Sequence, residues 1–124
     1  MKIIKKQLIL NSHEYYITHL SLINPLLPIK LTPKEIEVLA IFMSFSGELE
    51  LDRFGTTGKA LVRERLDLSH PGLANYMKSL LTKGFVQKEN NRLKILPILH
   101  PEKSSQLYQI QLVNRQEYDK IKST

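Results

Sequence analysis

A chain of 124 residues, 42% of them hydrophobic and with a formal charge of +6, is the size of one domain that can bury its own core. It has no cysteine, which excludes a disulfide framework and thiolate zinc sites and makes the cytoplasm the expected compartment. The lysine-containing apolar start gives way to Asn11-Ser-His-Glu, and the run at 36–45 is short; neither has the length of a signal peptide or a membrane span, so a soluble protein is expected.

The charge is concentrated in one third of the chain. Residues 1–52 and 95–124 are each within one unit of neutrality, whereas residues 53–94 hold nine Lys or Arg against Glu64, Asp67 and Glu89. A basic block of this kind suits a polyanion, because each neutralised phosphate releases condensed counterions. A solvated basic face is the plain alternative.

In chain order, residues 2–10 and 14–22 read as the strands of a β-hairpin turning at Asn11-Ser-His, since β-branched, Leu and Tyr residues flank a polar break. Asn24-Pro-Leu-Leu-Pro-Ile-Lys is an extended connector, its two prolines excluding a regular helix. Thr32-Pro-Lys-Glu then starts a helix: Thr32 caps, Pro33 fits the first turn and Glu35 closes a capping box. Ile36, Leu39, Ala40 and Met43 keep helical spacing, with Val38, Ile41, Phe42 and Phe45 widening the apolar surface, so this helix should be deeply buried and end at Gly47.

Glu48-Leu-Glu-Leu-Asp alternates at the period of a short strand. After a loop with Gly55, Thr57 is expected to cap a second helix running to Leu66. Ser69 is expected to cap a third, with Pro71 early and Gly84 as terminator. Its inward stripe is Leu73, Tyr76, Met77, Leu80 and Leu81. Its outward face is His70, Asn75, Lys78, Ser79, Thr82 and Lys83. Residues 85–89 and 92–96 flank Asn90-Asn91, a pair suited to the left-handed conformations of a tight hairpin. His100-Pro-Glu-Lys-Ser-Ser reads as a tip able to serve as a wing before a strand at 106–113, and Asn114 as the cap of a short helix at 115–122.

Helix, short strand, helix, turn, helix, strand, strand is the layout of a winged helix domain. The expected fold is therefore α+β: a winged helix-turn-helix with a three-helix core and β-hairpin wing at 31–124, preceded by the N-terminal β-hairpin and linker at 1–30. Ser69-His-Pro-Gly-Leu-Ala-Asn-Tyr-Met-Lys-Ser-Leu-Leu-Thr-Lys-Gly-Phe-Val resembles the recognition helix and following strand of MarR-like and related winged helix regulators. Shared features are the capping Ser, small residues in the first turn, two leucine-type anchors and Lys-Gly followed by two apolar residues. The topology matches over 31–113, the motif over 69–86.

The resemblance implies sequence-selective binding of double-stranded DNA, as in a transcriptional regulator, with residues 69–83 in the major groove and the wing on the backbone. A helix in that groove needs an anchored inner face, short polar side chains towards base edges and flanking cations. By position Asn75 is the first candidate for base contact, because an amide pairs bidentately with adenine; His70, Lys78 and Ser79 follow. Lys59, Arg63, Arg65, Lys83, Lys88, Arg92 and Lys94 are candidates for phosphate contact. The family pattern often has a hydroxyl residue where this chain has Gly72 and a basic one where it has Asn75, so base readout should be sparse. A homodimer, through the N-terminal hairpin or the C-terminal helix, would place two such helices in successive grooves.

No enzyme is expected. His13, His19, His70 and His100 lack helical metal-pair spacing, and Glu48, Glu50 and Asp52 read more readily as a solvated strand face than as a cation site. Gly55-Thr-Thr-Gly-Lys lacks the spacing of a phosphate-binding loop. No cofactor, metal or membrane partner is expected. The competing reading is a winged helix serving as a protein-interaction or assembly module, since fold does not fix function.

Overall fold

A computed structural model describes residues 1–123; Thr124, the last residue of the expected second unit, lies outside the described residues. The chain is α+β, with six α-helices and one two-stranded antiparallel hairpin among the described residues. No described helix is long and apolar enough to cross a membrane.

The centre is α2, Pro33–Ser44, capped as its sequence requires. The Thr32 hydroxyl accepts from the Glu35 N–H at 3.2 Å, while Glu35 Oε1 accepts from the Thr32 N–H at 2.7 Å. Its residues 38–43 are all buried, so neighbours must cover it on every side. Helices α1 (Ser12–Ile23), α4 (Thr56–Leu66) and α5 (His70–Lys83) do so, contributing Leu20, Val62, Leu73, Met77 and Leu80 to one core that also takes Phe85, Val86, Ile95 and Leu99.

The N-terminal β-hairpin does not form. Residues 12–23 are helix α1, and residues 1–10 carry neither helix nor sheet. The residues read as a turn are instead a helix start, the Asn11 side chain accepting from the Glu14 N–H at 2.9 Å. Tyr16, Ile17, Leu20 and Ile23 then form a helical stripe packed on the core, and burial of that stripe overrides β-propensity. The proline connector holds its path through Asn24, whose side chain accepts from the Leu31 N–H at 2.8 Å and donates to the Leu31 carbonyl at 3.0 Å.

Glu48–Leu51 is a short helix, α3, rather than a strand. Its two leucines do not share a buried side: Leu49 is half-buried and Leu51 exposed. Gly55, not Thr57, occupies the cap of α4. Gly58 makes a close approach there, since a Cβ would lie 2.1 Å from the Arg53 carbonyl oxygen. Asp67 closes α4 in the left-handed conformation, and Ser69 opens α5 by accepting from the Gly72 N–H at 3.0 Å. Gly84 ends α5 at φ 83°, a conformation that costs any residue with a Cβ.

Strands β1 (Val86–Glu89) and β2 (Arg92–Ile95) pair from Val86–Ile95 to Glu89–Arg92. Asn90 and Asn91 both have positive φ, 52° and 61°, as a two-residue hairpin of this hand demands. The expected strand at 106–113 is absent, so the tip at 100–105 joins no strand pair. Tyr108 is instead drawn to α1, leaving Leu107, Ile110 and Leu112 exposed. Asn114 caps α6, Arg115–Ser123, accepting from the Gln116 N–H.

Helix α1 ties down residues 97–108. Tyr15 donates to the Glu102 carbonyl at 2.6 Å. The buried His19 ring lies 2.8 Å from the Leu99 carbonyl through Nε2. A carbonyl only accepts, so Nε2 carries the proton and Nδ1 of the neutral ring accepts from the Tyr108 hydroxyl. Burial pushes the His19 pKa down, partly offset by the Leu99 carbonyl. The unfolded ring takes up a proton more readily, so this contribution to stability is complete above the ordinary value of 6.5 and is lost as pH falls through the lower folded value. Denaturant titrations should show stability falling from pH 7 to 5, with a shallower slope in His19→Asn; His100, displaced downward by burial and then by Arg53, retains part of it. Gly58→Ala should lower stability by about 1–3 kcal/mol through overpacking, read from the same curves.

Candidate functional site

Helix α5 presents one continuous solvent-facing stripe. Pro71, Ala74, Asn75, Lys78 and Thr82 are exposed at helical spacing, with His70 at its start and Leu81 beside it, while Leu73, Met77 and Leu80 anchor the opposite face. The helix contains no Asp or Glu, and the stripe offers an amide, an imidazole, an ammonium and a hydroxyl beside small residues. At fourteen residues it is about 21 Å long and, with side chains, about 10–12 Å across.

Two outward candidates turn inward. Ser79 Oγ donates to Glu35 Oε2 at 2.5 Å, and Lys83 Nζ donates to Glu35 Oε1 at 2.6 Å and to the Lys30 carbonyl at 2.9 Å. Glu35 is 1% exposed. Burial opposes its ionisation, but hydrogen bonds from Lys83, Ser79 and Thr32 and the Lys83 charge outweigh it and hold the carboxyl below its ordinary range. Ser79 and Lys83 thus fasten α5 to the start of α2. The sequence signal was partial: the capping box picked out Glu35, but nothing local ties residue 35 to residues 79 and 83.

The remaining candidate cations stay available. Lys59, Arg63 and Arg65 lie on α4, the first two half-buried and Arg65 exposed. Lys88, Arg92 and Lys94 are exposed on the hairpin. Among the described residues only Lys94 of these six has an ion pair, with Glu89 at 3.7 Å, and at such exposure that pair is weak. Lys59, Arg92 and Lys94 line a groove of about 610 Å³ between the hairpin and residues 50–54, facing Glu50, Asp52 and Glu89. Deeper in, Arg53 pairs with Glu50 at 3.8 Å. Burial lowers the Arg53 pKa, and the Glu50 charge opposes that shift.

The other chemistry-bearing residues do not assemble. No three His, Asp or Glu side chains among the described residues are placed to hold a metal ion. Glu50 is engaged with Arg53 and Lys103 rather than aligned with Glu48 and Asp52 on a strand. His70 is exposed, His19 belongs to the contact between α1 and the chain after the hairpin, and His100 lies at the groove with Arg53 and Glu50.

Removing Lys83 strands the Glu35 carboxylate in the core, so Lys83→Ala should cost about 3 kcal/mol, and Glu35→Gln in the same chain should restore part of it; chemical denaturation of the three variants measures both. The stability that ionised Glu35 contributes is present above its ordinary pKa of 4.5 and is lost as pH falls below it. Glu35→Gln should therefore flatten the acid limb below that pH. Comparison with models of known protein families, with curated proteins and with solved structures found no match for this chain.

Proposed function

We propose that the chain is a winged helix-turn-helix module that binds double-stranded DNA sequence-selectively, as a transcriptional regulator, with α5 in the major groove and the β1–β2 hairpin against the backbone. The observation that carries this reading is the exposed stripe of α5, polar, free of carboxylates and anchored on its far side. Its width suits a groove about 12 Å wide, and the three-residue link from α4 to α5, Asp67 to Ser69, suits a helix-turn-helix. Cations without ion pairs at Lys59, Arg63, Arg65, Lys88 and Arg92 add the phosphate-binding component, with Lys94 beside them.

Within this reading Asn75 is the main base reader, with His70 and Lys78 next to it on the stripe. Ser79 and Lys83 hold the helix at its working angle through Glu35 and leave DNA contact to the others. Specificity then comes from few base contacts together with DNA shape, and affinity mainly from the cations. The exposed apolar side chains of residues 3–9 and 107–112 favour a second reading, a winged helix acting as a protein-interaction module, and duplex binding separates the two.

Affinity for duplex DNA should fall steeply with salt, and Lys88→Ala or Arg92→Ala should each reduce the log–log slope by about 0.9 while weakening all sequences alike. Asn75→Ala should cost about 1–3 kcal/mol on a selected site and little on random duplex. Fluorescence anisotropy against both duplexes measures this. No duplex binding at low salt overturns the reading, and equal losses on both duplexes remove Asn75 from base readout.

A further inference from the structure

The segment before α1 and the segment beyond the hairpin both leave apolar side chains in water. Ile3, Ile4, Leu8 and Ile9 in the N-terminal arm are exposed, Ile9 by 94%, as are Leu107, Ile110 and Leu112 beyond the hairpin, Leu112 by 92%. Residues 6–10 and 104–108 flank one groove of about 590 Å³ floored by Tyr15, Thr18, His19 and Leu22. No backbone-to-backbone hydrogen bond involves residues 1–10 or 104–113 among the described residues. Gln106-Leu-Tyr-Gln-Ile-Gln-Leu112 nonetheless has the alternation of a half-buried strand, and strand-competent backbone without partners is a template for another chain.

We propose that a second copy of this chain occupies this face, the arm of each protomer pairing as a β-strand with residues 106–112 of the other. Charge disfavours one alternative, arm against arm. The arm carries Lys2, Lys5 and Lys6 and no acid, whereas residues 104–114 carry no charge at all. Arm against arm would set lysines opposite one another, which destabilises a strand pair; arm against 106–112 does not. Reciprocal exchange also closes under a two-fold axis and gives both segments a strand partner, which pairing 106–112 with its own copy would not. A stable interface buries roughly 800 Å² on each partner, and seven largely exposed aliphatic side chains with two stretches of unpaired backbone are what each protomer has to bury there. This seam differs from a pairing of N-terminal hairpins or C-terminal helices, and it does not depend on DNA binding.

The 124-residue chain, followed by light scattering over about 1–100 μM without DNA, should move from 14.4 kDa towards twice that mass as concentration rises. Ile9→Asp and Leu112→Asp, at side chains exposed in the single chain, should each raise the dimer dissociation constant at least about tenfold while leaving the far-ultraviolet circular dichroism of the dilute monomer unchanged. In the unmodified protein, hydrogen exchange at residues 106–112 should slow as concentration rises. A monomer across the range overturns the proposal, whether those amides are unprotected or are protected at every concentration by an arm folded back on its own chain. So does a dimer that neither substitution weakens. Failure to bind duplex leaves the proposal standing, because the mass is read without DNA.

Discussion

A carboxylate enclosed by apolar side chains destabilises a fold unless each of its oxygens is paired, and Glu35 is such a group at the start of the most buried helix. Its partners come from two places. The Thr32 N–H is local, while Ser79 and Lys83 arrive from the last turns of α5. The need to satisfy one acid therefore fixes how α5 crosses α2. With that contact made, Leu73, Met77 and Leu80 meet the core, and the stripe from Pro71 to Thr82 is left facing water. The surface on which the proposed function rests is in this sense the complement of a buried ion pair.

A second set of polar contacts governs the surroundings of α1. α1 is held to α2 by an apolar stripe, yet Tyr15 and His19 direct hydrogen bonds to the carbonyls of Glu102 and Leu99, and His19 receives one from Tyr108. Those bonds position the chain just after the hairpin. They also stop short of giving it a partner, and residues 104–113 remain without strand pairing beside an equally unpaired arm. One end of the molecule is thus finished by internal bonds, and the other presents backbone and apolar side chains suited to a second copy.

The two surfaces divide the charge as well. Residues 53–94 hold the basic excess, and most of their cations lie on α4 and the hairpin without ion pairs. Residues 104–114 are uncharged. A polyanion and a second protomer would therefore meet different parts of the chain without competing for the same side chains.

Sequence alone determined the elements whose signals are local. Thr32 with Glu35, Ser69 with Gly84, and Asn90-Asn91 each specify a cap or turn through bonds and dihedrals within a few residues, and α2, α5 and the β1–β2 hairpin follow from them. It also located the basic third and most of the exposed face of α5. Where a local pattern admits two periods, only the tertiary structure decided. Residues 12–23 carry both β-branched composition and a helical stripe, and packing on α2 selects the helix. Residues 48–52 and 106–113 alternate like strands but meet no partner strand, and a strand without a partner leaves its backbone groups unpaired. The inward turn of Ser79 and Lys83 was beyond local reading for the same reason, because a long-range ion pair depends on where two helices cross rather than on any spacing along the chain.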